Sequence, residues 1–115
     1  LEQIYQELIL VILEKLFIAD TFIKRFLGLL NKLCPKTSEG LVFFNCSSIH
    51  MFFMRYSIGV LFIDANGNAM KIIDTLKPWR IASCIGSSTT IETAPGFWSK
   101  NKIKVGDQLE IVRDL

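Results

Sequence analysis

The chain has 115 residues, of which 50% are apolar, and its formal net charge at pH 7 is +2. This length is that of one domain, residues 1–115, and so apolar a chain can bury a core without metals or disulfides. The small charge and the scattered basic residues argue against nucleic acid as a partner.

The N-terminal segment is apolar enough to require a test for membrane insertion. Charged residues separate the apolar runs at 8–13 and 16–19, so no uncharged run approaches the ~20 residues of a spanning helix. A signal peptide carries positive charge before its apolar core, whereas Glu2 and Glu7 come first here. We expect no transmembrane segment and a cytoplasmic location, or an association with the envelope if an N-terminal segment has been removed.

Two predictions compete for residues 3–33. The first is a single long amphipathic helix. The second is a strand over about 8–19 followed by a helix over about 21–32, because LILVIL is rich in β-formers and Asp20 and Thr21 are good helix N-cap residues. Local pattern alone does not separate the two.

The rest of the chain has the pattern of short strands separated by turn residues. Asn66-Gly67 suits the positive φ angles of a type I′ turn and predicts a hairpin between two apolar runs. Residues 97–101 predict one helical turn. Short strands at such close spacing are typical of a sandwich or barrel. The predicted strands are 41–44, 58–64, 69–75, 80–85, 89–93 and 108–112.

Six segments carry motifs in a fixed order. They are ADTFIKRFLGLL (19–30), EGLVF (39–43), SIHMFFMRYSIGVLFID (48–64), NGNAMKI (66–72), TIETAPG (90–96) and KVGDQLEI (104–111). As an ordered set they resemble the conserved prokaryotic proteins grouped as domain of unknown function 192 (DUF192). The resemblance favours the strand-then-helix prediction at the N-terminus. We therefore expect a mainly-β fold: a compact, barrel-like β-sandwich of about seven or eight short strands, with one helix after the first strand.

The resemblance also sets expectations about function. The biochemistry of this family is largely unassigned, and some members resemble proteins encoded beside pilus or secretion machinery. Where family members usually have Asp, this chain has Gly59. Any polar group that this Asp supplies to a site is therefore missing from this chain.

The three cysteines, Cys34, Cys46 and Cys84, are odd in number and have no CxxC spacing, which argues against disulfides and against zinc. Free thiols in a reducing compartment are the expectation. Cys46, His50 and Met54 are spaced by four and are ligand types that suit Cu(I). On the extended chain that the family resemblance implies, this spacing amounts to ~13 Å, so we expect no metal and no cofactor.

Catalysis would have to use His50, the single histidine of the chain. Cys46, Ser47 and Cys84 are available as nucleophiles, but the chain has no GxSxG elbow, and residues 84–90 lack the Gly-Lys pair of a phosphate loop. A small hydrolase-like or metal-dependent enzyme using His50 is therefore the alternative hypothesis, and we assign no catalytic residue.

Arg25, Asp64 and Glu92 are further charged candidates. Arg25 lies in the predicted helix, where a structural salt bridge with Asp64 or Asp107 is preferred over an anion site because an unpaired buried charge is costly. Two-carboxylate chemistry with Asp64 and Glu92 stays open. The simpler interpretation is that both are strand-end charges that face water or pair with arginine.

The leading hypothesis is a non-enzymatic binding or accessory module that serves an envelope, pilus or secretion system and binds a small ligand or a protein. Within residues 48–64, we predict that the apolar positions form the spine of the sheet and that the polar ones reach an edge or a cleft. The candidate ligand-binding residues are His50, Met54, Arg55, Arg25, Asp64, Trp79 and Trp98.

Overall fold

The computed structural model describes residues 15–18, 39–52 and 54–110. These residues form seven strands and one short helix, which confirms the predicted mainly-β fold. The predicted helix at about 21–32 lies outside the described residues, as does Arg25. The elements are β1 (Lys15–Ile18), β2 (Glu39–Phe44), β3 (Ser48–His50), β4 (Ile58–Ile63), β5 (Ala69–Leu76), β6 (Ile81–Ser83), β7 (Thr89–Thr93) and α1 (Phe97–Lys100).

Two sheets of unequal size make up the fold. The main sheet has five strands in the order β1-β2-β7-β4-β5, and the outer sheet consists of β3 and β6. The β1–β2 pair is parallel, and all other pairs are antiparallel. The strand β1 falls inside the predicted strand at 8–19, so the strand alternative holds for these four residues.

The interior strand β4 is apolar on both faces, so other parts of the chain have to pack against both faces of the main sheet. All six of its residues are buried, as expected for an apolar run in the middle of a sheet. Phe62 contributes to the core beneath the outer sheet, and its neighbour Leu61 contributes to the opposite core. The strand predicted at 58–64 is thus confirmed, whereas the spine predicted over 48–64 is confined to β4, because Phe52 lies outside the strand and is exposed.

The two cores lie on opposite faces of the main sheet. The outer-sheet core consists of Phe43, Cys46, Ile49, Met51, Met54, Ile58, Val60, Phe62, Leu76 and Ala82. The helix-side core consists of Val42, Leu61, Ile63, Ala69, Ile91, Phe97, Trp98, Ile103 and Leu109.

The hairpin between β4 and β5 is confirmed in position and wrong in turn type. Gly67 has a φ of 86°, which confirms the positive φ predicted for one or both residues of Asn66-Gly67, but Asn66 does not have it, and a type I′ turn requires it at both central residues. The amide of Gly67 donates to the Asp64 carbonyl at 3.1 Å, and the amide of Asp64 donates to the Asn68 carbonyl at 3.0 Å. This is the three-residue hairpin in which a left-handed glycine follows a tight turn.

The C-terminal strand predicted at 108–112 is reduced to an isolated bridge between Asn68 and Gln108 within the residues described up to 110. Next to this bridge, the Leu109 amide donates to the Gly67 carbonyl at 2.7 Å. The helical turn predicted at 97–101 is confirmed as α1. No helix in the described part of the chain is long and apolar enough to cross a membrane.

Candidate functional site

The outward face of the outer sheet carries an exposed row of large side chains. In both β3 and β6 the residues alternate between exposed and buried, with Ile49 and Ala82 turned into the core. Because His50 lies directly opposite Ile81 in the antiparallel register, these two side chains share the outward face. We call the row the surface strip; it consists of His50, Phe52, Trp79, Ile81 and Ile85.

Three rings of the surface strip form a continuous stack. The ring centroids of His50 and Phe52 are 4.9 Å apart with an interplanar angle of 28°. Those of Phe52 and Trp79 are 6.1 Å apart with an angle of 35°. Phe52 is therefore the ring that links His50 to Trp79.

The backbone at Trp79 is strained. Its φ is 67°, in the left-handed region, which costs an L-residue roughly 1–2 kcal/mol. Two hydrogen bonds hold it there: the Trp79 amide donates to the Met51 carbonyl, and the Met51 amide donates to the Arg80 carbonyl, both at 2.7 Å. Despite this strain, the indole side chain is 58% exposed. Strain that places a large apolar group in water is characteristic of a functional surface.

The charged residues that neighbour the surface strip in sequence are all basic. The two segments that carry it, residues 45–57 and 77–88, contain the basic residues Arg55, Lys77 and Arg80 and no acidic residue. All three basic side chains are exposed. The surface strip is therefore bordered along the chain by cationic groups.

The structure separates the predicted site residues. His50 and Trp79 meet in the ring stack through Phe52, and Arg55 is exposed close to them in sequence. Met54 and Trp98, by contrast, are buried in the two different cores, with 4% and 1% exposure. They do not line one wall with His50.

Asp64 serves the β4–β5 hairpin. Its carboxylate accepts hydrogen bonds from the amides of Asn68 and Asn66, each at 2.9 Å, and from the Asn68 side-chain amide at 3.1 Å. The bonds from Asn68, first its backbone amide and then its side chain, lower the pKa of Asp64 from its ordinary value of 3.8. Through these contacts the Asp64 carboxylate stabilises the turn, which explains why an aspartate stands at this position.

The carboxylates of Asp64 and Glu92 do not form a catalytic pair. Glu92 lies opposite Val60 in β4, and Asp64 is four residues further along the chain. That separation is ~13 Å along a strand, beyond the range for paired carboxylates in glycoside hydrolysis. Glu92 is only 2% exposed, so of the two simpler interpretations, facing water or pairing with arginine, the first does not hold. Because Glu92 lies opposite Val60, the strand register places it on the face of the main sheet that bears the outer-sheet core.

The predicted sulfur and imidazole ligands are also dispersed. Cys46 is buried, and its thiol donates to the Ser48 carbonyl at 3.0 Å, whereas His50 is exposed on the outward face. Among the described residues, no group of three or more His, Cys, Asp and Glu side chains could hold a metal ion. Cys46 and Cys84 are both free thiols, and Cys34 lies outside the described residues.

Gly59 lies where bare backbone is required. A Cβ at this position would be 2.7 Å from the Thr93 hydroxyl, 2.9 Å from the Ala94 carbonyl oxygen and 3.2 Å from Trp98 Cδ1. The first two distances are shorter than real Cβ contacts, so any side chain here would displace its neighbours. Trp98 of α1 thus packs against the glycine, in the space where an aspartate would extend.

Sequence reasoning missed Phe52, Ile81 and Ile85 as members of the surface strip. Phe52 was interpreted as a core residue, yet it is 39% exposed, and Ile81 is 65% exposed. One sequence signal pointed to an exposed surface here. In Lys-Pro-Trp-Arg, basic residues border Trp79, and a core tryptophan is seldom bordered by charges.

Comparison with known proteins places the chain among uncharacterised relatives. The DUF192 family, described as "Uncharacterized ACR", matches residues 11–111. A UPF0127 protein of Pyrococcus horikoshii is 49% identical over 100 residues, which cover 81% of this chain and 84% of that protein. A UPF0127 protein of Thermococcus sibiricus is 38% identical over 100 residues, covering 81% of this chain and 63% of the relative, so the chain spans less than two thirds of that protein.

A crystal structure of a protein of unknown function from Novosphingobium aromaticivorans has a similar fold. Its TM-score is 0.73 at 19% identity, and the match covers 84% of this chain and 74% of that one. At this identity the likeness concerns the fold alone.

Proposed function

The chain belongs to the uncharacterised DUF192 family. From the features of its surface, we propose that it is a non-enzymatic binding module. The observation that supports this is the surface strip, where a strained Trp79 extends a stacked row of rings into solvent. A fold stabilised only by burial has no use for that arrangement, whereas a rigid, exposed aromatic is a good anchor for a partner.

The alternative hypothesis of an enzyme using His50 gains no support from the described residues. The His50 ring stacks against Phe52, and the thiol of Cys46 is buried and bonded to backbone. Nucleophilic catalysis needs a base within hydrogen-bond reach of an accessible nucleophile. A binding surface uses the same imidazole without that requirement.

A thermal-shift screen against sugars, nucleotides, anions, metals and peptides tests the proposal. A ligand that binds the folded state raises the melting temperature by mass action. We expect any compound that stabilises the wild type to stabilise Val105→Ser equally and Trp79→Ser much less. Val105 is the matched control because it is 63% exposed and lies outside the surface strip. Ligands that stabilise all three proteins equally would place binding elsewhere and overturn the proposal.

Two further statements are proposals. The first is that the protein serves an envelope, pilus or secretion system, and the second is that it is located in the cytoplasm. Cell fractionation with an antibody against the protein tests both. Recovery with the soluble cytoplasmic fraction supports the location, and recovery with the envelope fraction supports the accessory role.

A further inference from the structure

We propose that the surface strip binds an acidic peptide segment of a partner protein, one that carries large apolar side chains between its carboxylates. This inference rests on the binding function proposed above and names the class of its ligand. It follows from the distribution of exposed apolar side chains, from the sign of the surrounding charge and from the geometry of the ring stack.

The exposed apolar side chains are concentrated on β6 and within two residues of the ends of β3 and β6. Of the five large hydrophobic side chains that are exposed in the described part of the chain, four belong to the surface strip and only Val105 does not. Ile85 is 97% exposed in the turn after β6, where the Ser87 amide donates to the Cys84 carbonyl at 3.2 Å. Large apolar side chains exposed together on paired strands and their flanking residues are characteristic of an interaction surface.

The neighbouring charge selects an anionic partner. The segments that carry the surface strip contain Arg55, Lys77 and Arg80 without one acidic residue, although the whole chain has 13 basic and 11 acidic residues. Basic groups that border an apolar row favour a partner in which carboxylates stand beside apolar side chains, because the electrostatic potentials of the two surfaces are then complementary. The same complementarity speeds the encounter of the two molecules.

The same charges disfavour a second copy of this chain as the occupant. In a two-fold symmetric dimer the same patch faces itself, so the cationic border would oppose its own copy. Like charges brought together across an interface cost several kcal/mol. A partner with the opposite charge removes this penalty.

The ring stack favours a peptide over single-stranded nucleic acid. Base recognition by aromatic side chains uses open ring faces on which successive bases stack. Here the Phe52 ring already has the rings of His50 and Trp79 as neighbours, with centroids 4.9 and 6.1 Å away. The aliphatic side chains of Ile81 and Ile85 add surface that suits apolar side chains better than bases.

Selection from a random peptide library displayed on phage, with the immobilised full chain as bait, tests the inference. We expect the enriched sequences to combine Asp or Glu with Phe, Leu, Ile or Trp. The consensus peptide is then synthesised, and its affinity is measured by fluorescence anisotropy at low and high salt.

Variants and matched controls assign the binding to the surface strip. Ile81→Ser keeps the strained backbone and all the rings, and should weaken the consensus peptide by about tenfold or more, as should Trp79→Ser. The double change Lys77→Glu and Arg80→Glu should weaken it similarly and reduce its salt dependence. Val105→Ser and Lys104→Gln, an apolar and a basic exposed position outside the surface strip, should leave affinity unchanged.

The opposing outcomes are distinct. Enriched peptides without acidic residues, or an acidic peptide whose affinity is unchanged in Ile81→Ser and Trp79→Ser, would overturn the inference. Binding of oligodeoxythymidine or of heparin that is lost in Trp79→Ser would also overturn it, while leaving the proposed binding function in place. Sedimentation showing a dimer of the wild type that Trp79→Ser abolishes would assign the strip to self-association instead. Failure of these variants to alter binding of any probe would overturn both proposals.

Discussion

Trp79 combines backbone strain with exposure, and this combination allows stability and binding to be separated at one residue. Glycine adopts the observed φ of 67° without steric penalty, whereas alanine does not. We expect Trp79→Gly to be more stable than Trp79→Ala by about 1 kcal/mol, while both lose binding to the surface strip. Urea denaturation of the two variants measures the difference.

The control for this prediction is Ala65→Gly, at an exposed turn position without positive φ. There glycine should be no more stable than alanine, because only the unfolded-state entropy changes. Equal stability of Trp79→Gly and Trp79→Ala would show that the left-handed backbone carries no strain.

The carboxylate of Asp64 makes the hairpin sensitive to acid. Hydrogen bonds from Asn68 and Asn66 hold its pKa below the ordinary value of 3.8. A depressed folded-state pKa gives stability that is present above the unfolded-state pKa and is lost as the pH falls through the folded value. We therefore expect the wild type to resist urea better than Asp64→Asn near neutral pH, and the gap to narrow below about pH 4. A gap that stays constant down to low pH would contradict this assignment.

Between β4 and β5, the hairpin depends on one glycine for two reasons. Gly67 has positive φ, and a Cβ placed on it would overlap the Leu109 carbonyl oxygen. Gly67→Val should therefore destabilise the fold by more than about 1 kcal/mol. Gly106→Val is the matched control: its φ is 96°, but nothing lies within 4 Å of its added Cβ. If the two variants lose equal stability, the contact with Leu109 contributes nothing.

The strand β4 and the end of β3 should respond very differently to truncation. Phe62 is completely buried, so Phe62→Ala should cost ~3–5 kcal/mol through lost transfer energy and the cavity left behind. His50 is exposed, and His50→Ala should change the free energy of unfolding by about 1 kcal/mol or less. Chemical denaturation of both variants provides the comparison. A Phe62→Ala variant of near wild-type stability would mean that β4 is not the spine of the core.

The sequence predicted those elements whose formation depends on residues that are close together in the chain. The apolar run at 58–64 had to be a central strand, and Asn66-Gly67 marked the hairpin beside it. The turn type was not predictable, because it depends on which loop residue takes positive φ, and the Asp64 carboxylate favours the longer loop by capping it. The same limit applies to the last predicted strand, since as far as the chain is described, to residue 110, its bridge is to Asn68 in the distant β4–β5 turn.

The surface strip was only partly predictable, because its members come together through long-range register. Phe52 and Trp79 both lie outside strands, and their rings meet because β3 pairs with β6 across a long separation in sequence. An apolar residue such as Ile81 gives no local sign of whether it faces the core or solvent. Shifting the register by one residue would reverse its orientation, so exposure at this position is a property of the pairing.

At the scale of the whole molecule, the shared strand β4 joins the two cores into one cooperative unit. Leu61 packs in the helix-side core and Phe62 in the outer-sheet core, so neither core can open while β4 keeps its neighbours. Small domains with such shared elements unfold in one step. We expect the two faces of the main sheet to lose structure at the same urea concentration.

One buried reporter is available in each core. In Trp79→Phe the remaining tryptophan is Trp98, which reports on the helix-side core through its emission. Replacing Cys34 and Cys84 with Ser leaves Cys46 to report on the outer-sheet core through its reactivity towards a thiol reagent. Because both reporters depend on β4, their urea midpoints should coincide. Reactivity of Cys46 at lower urea than the change in Trp98 emission would mean that the outer sheet, and the surface strip with it, opens independently of the main sheet.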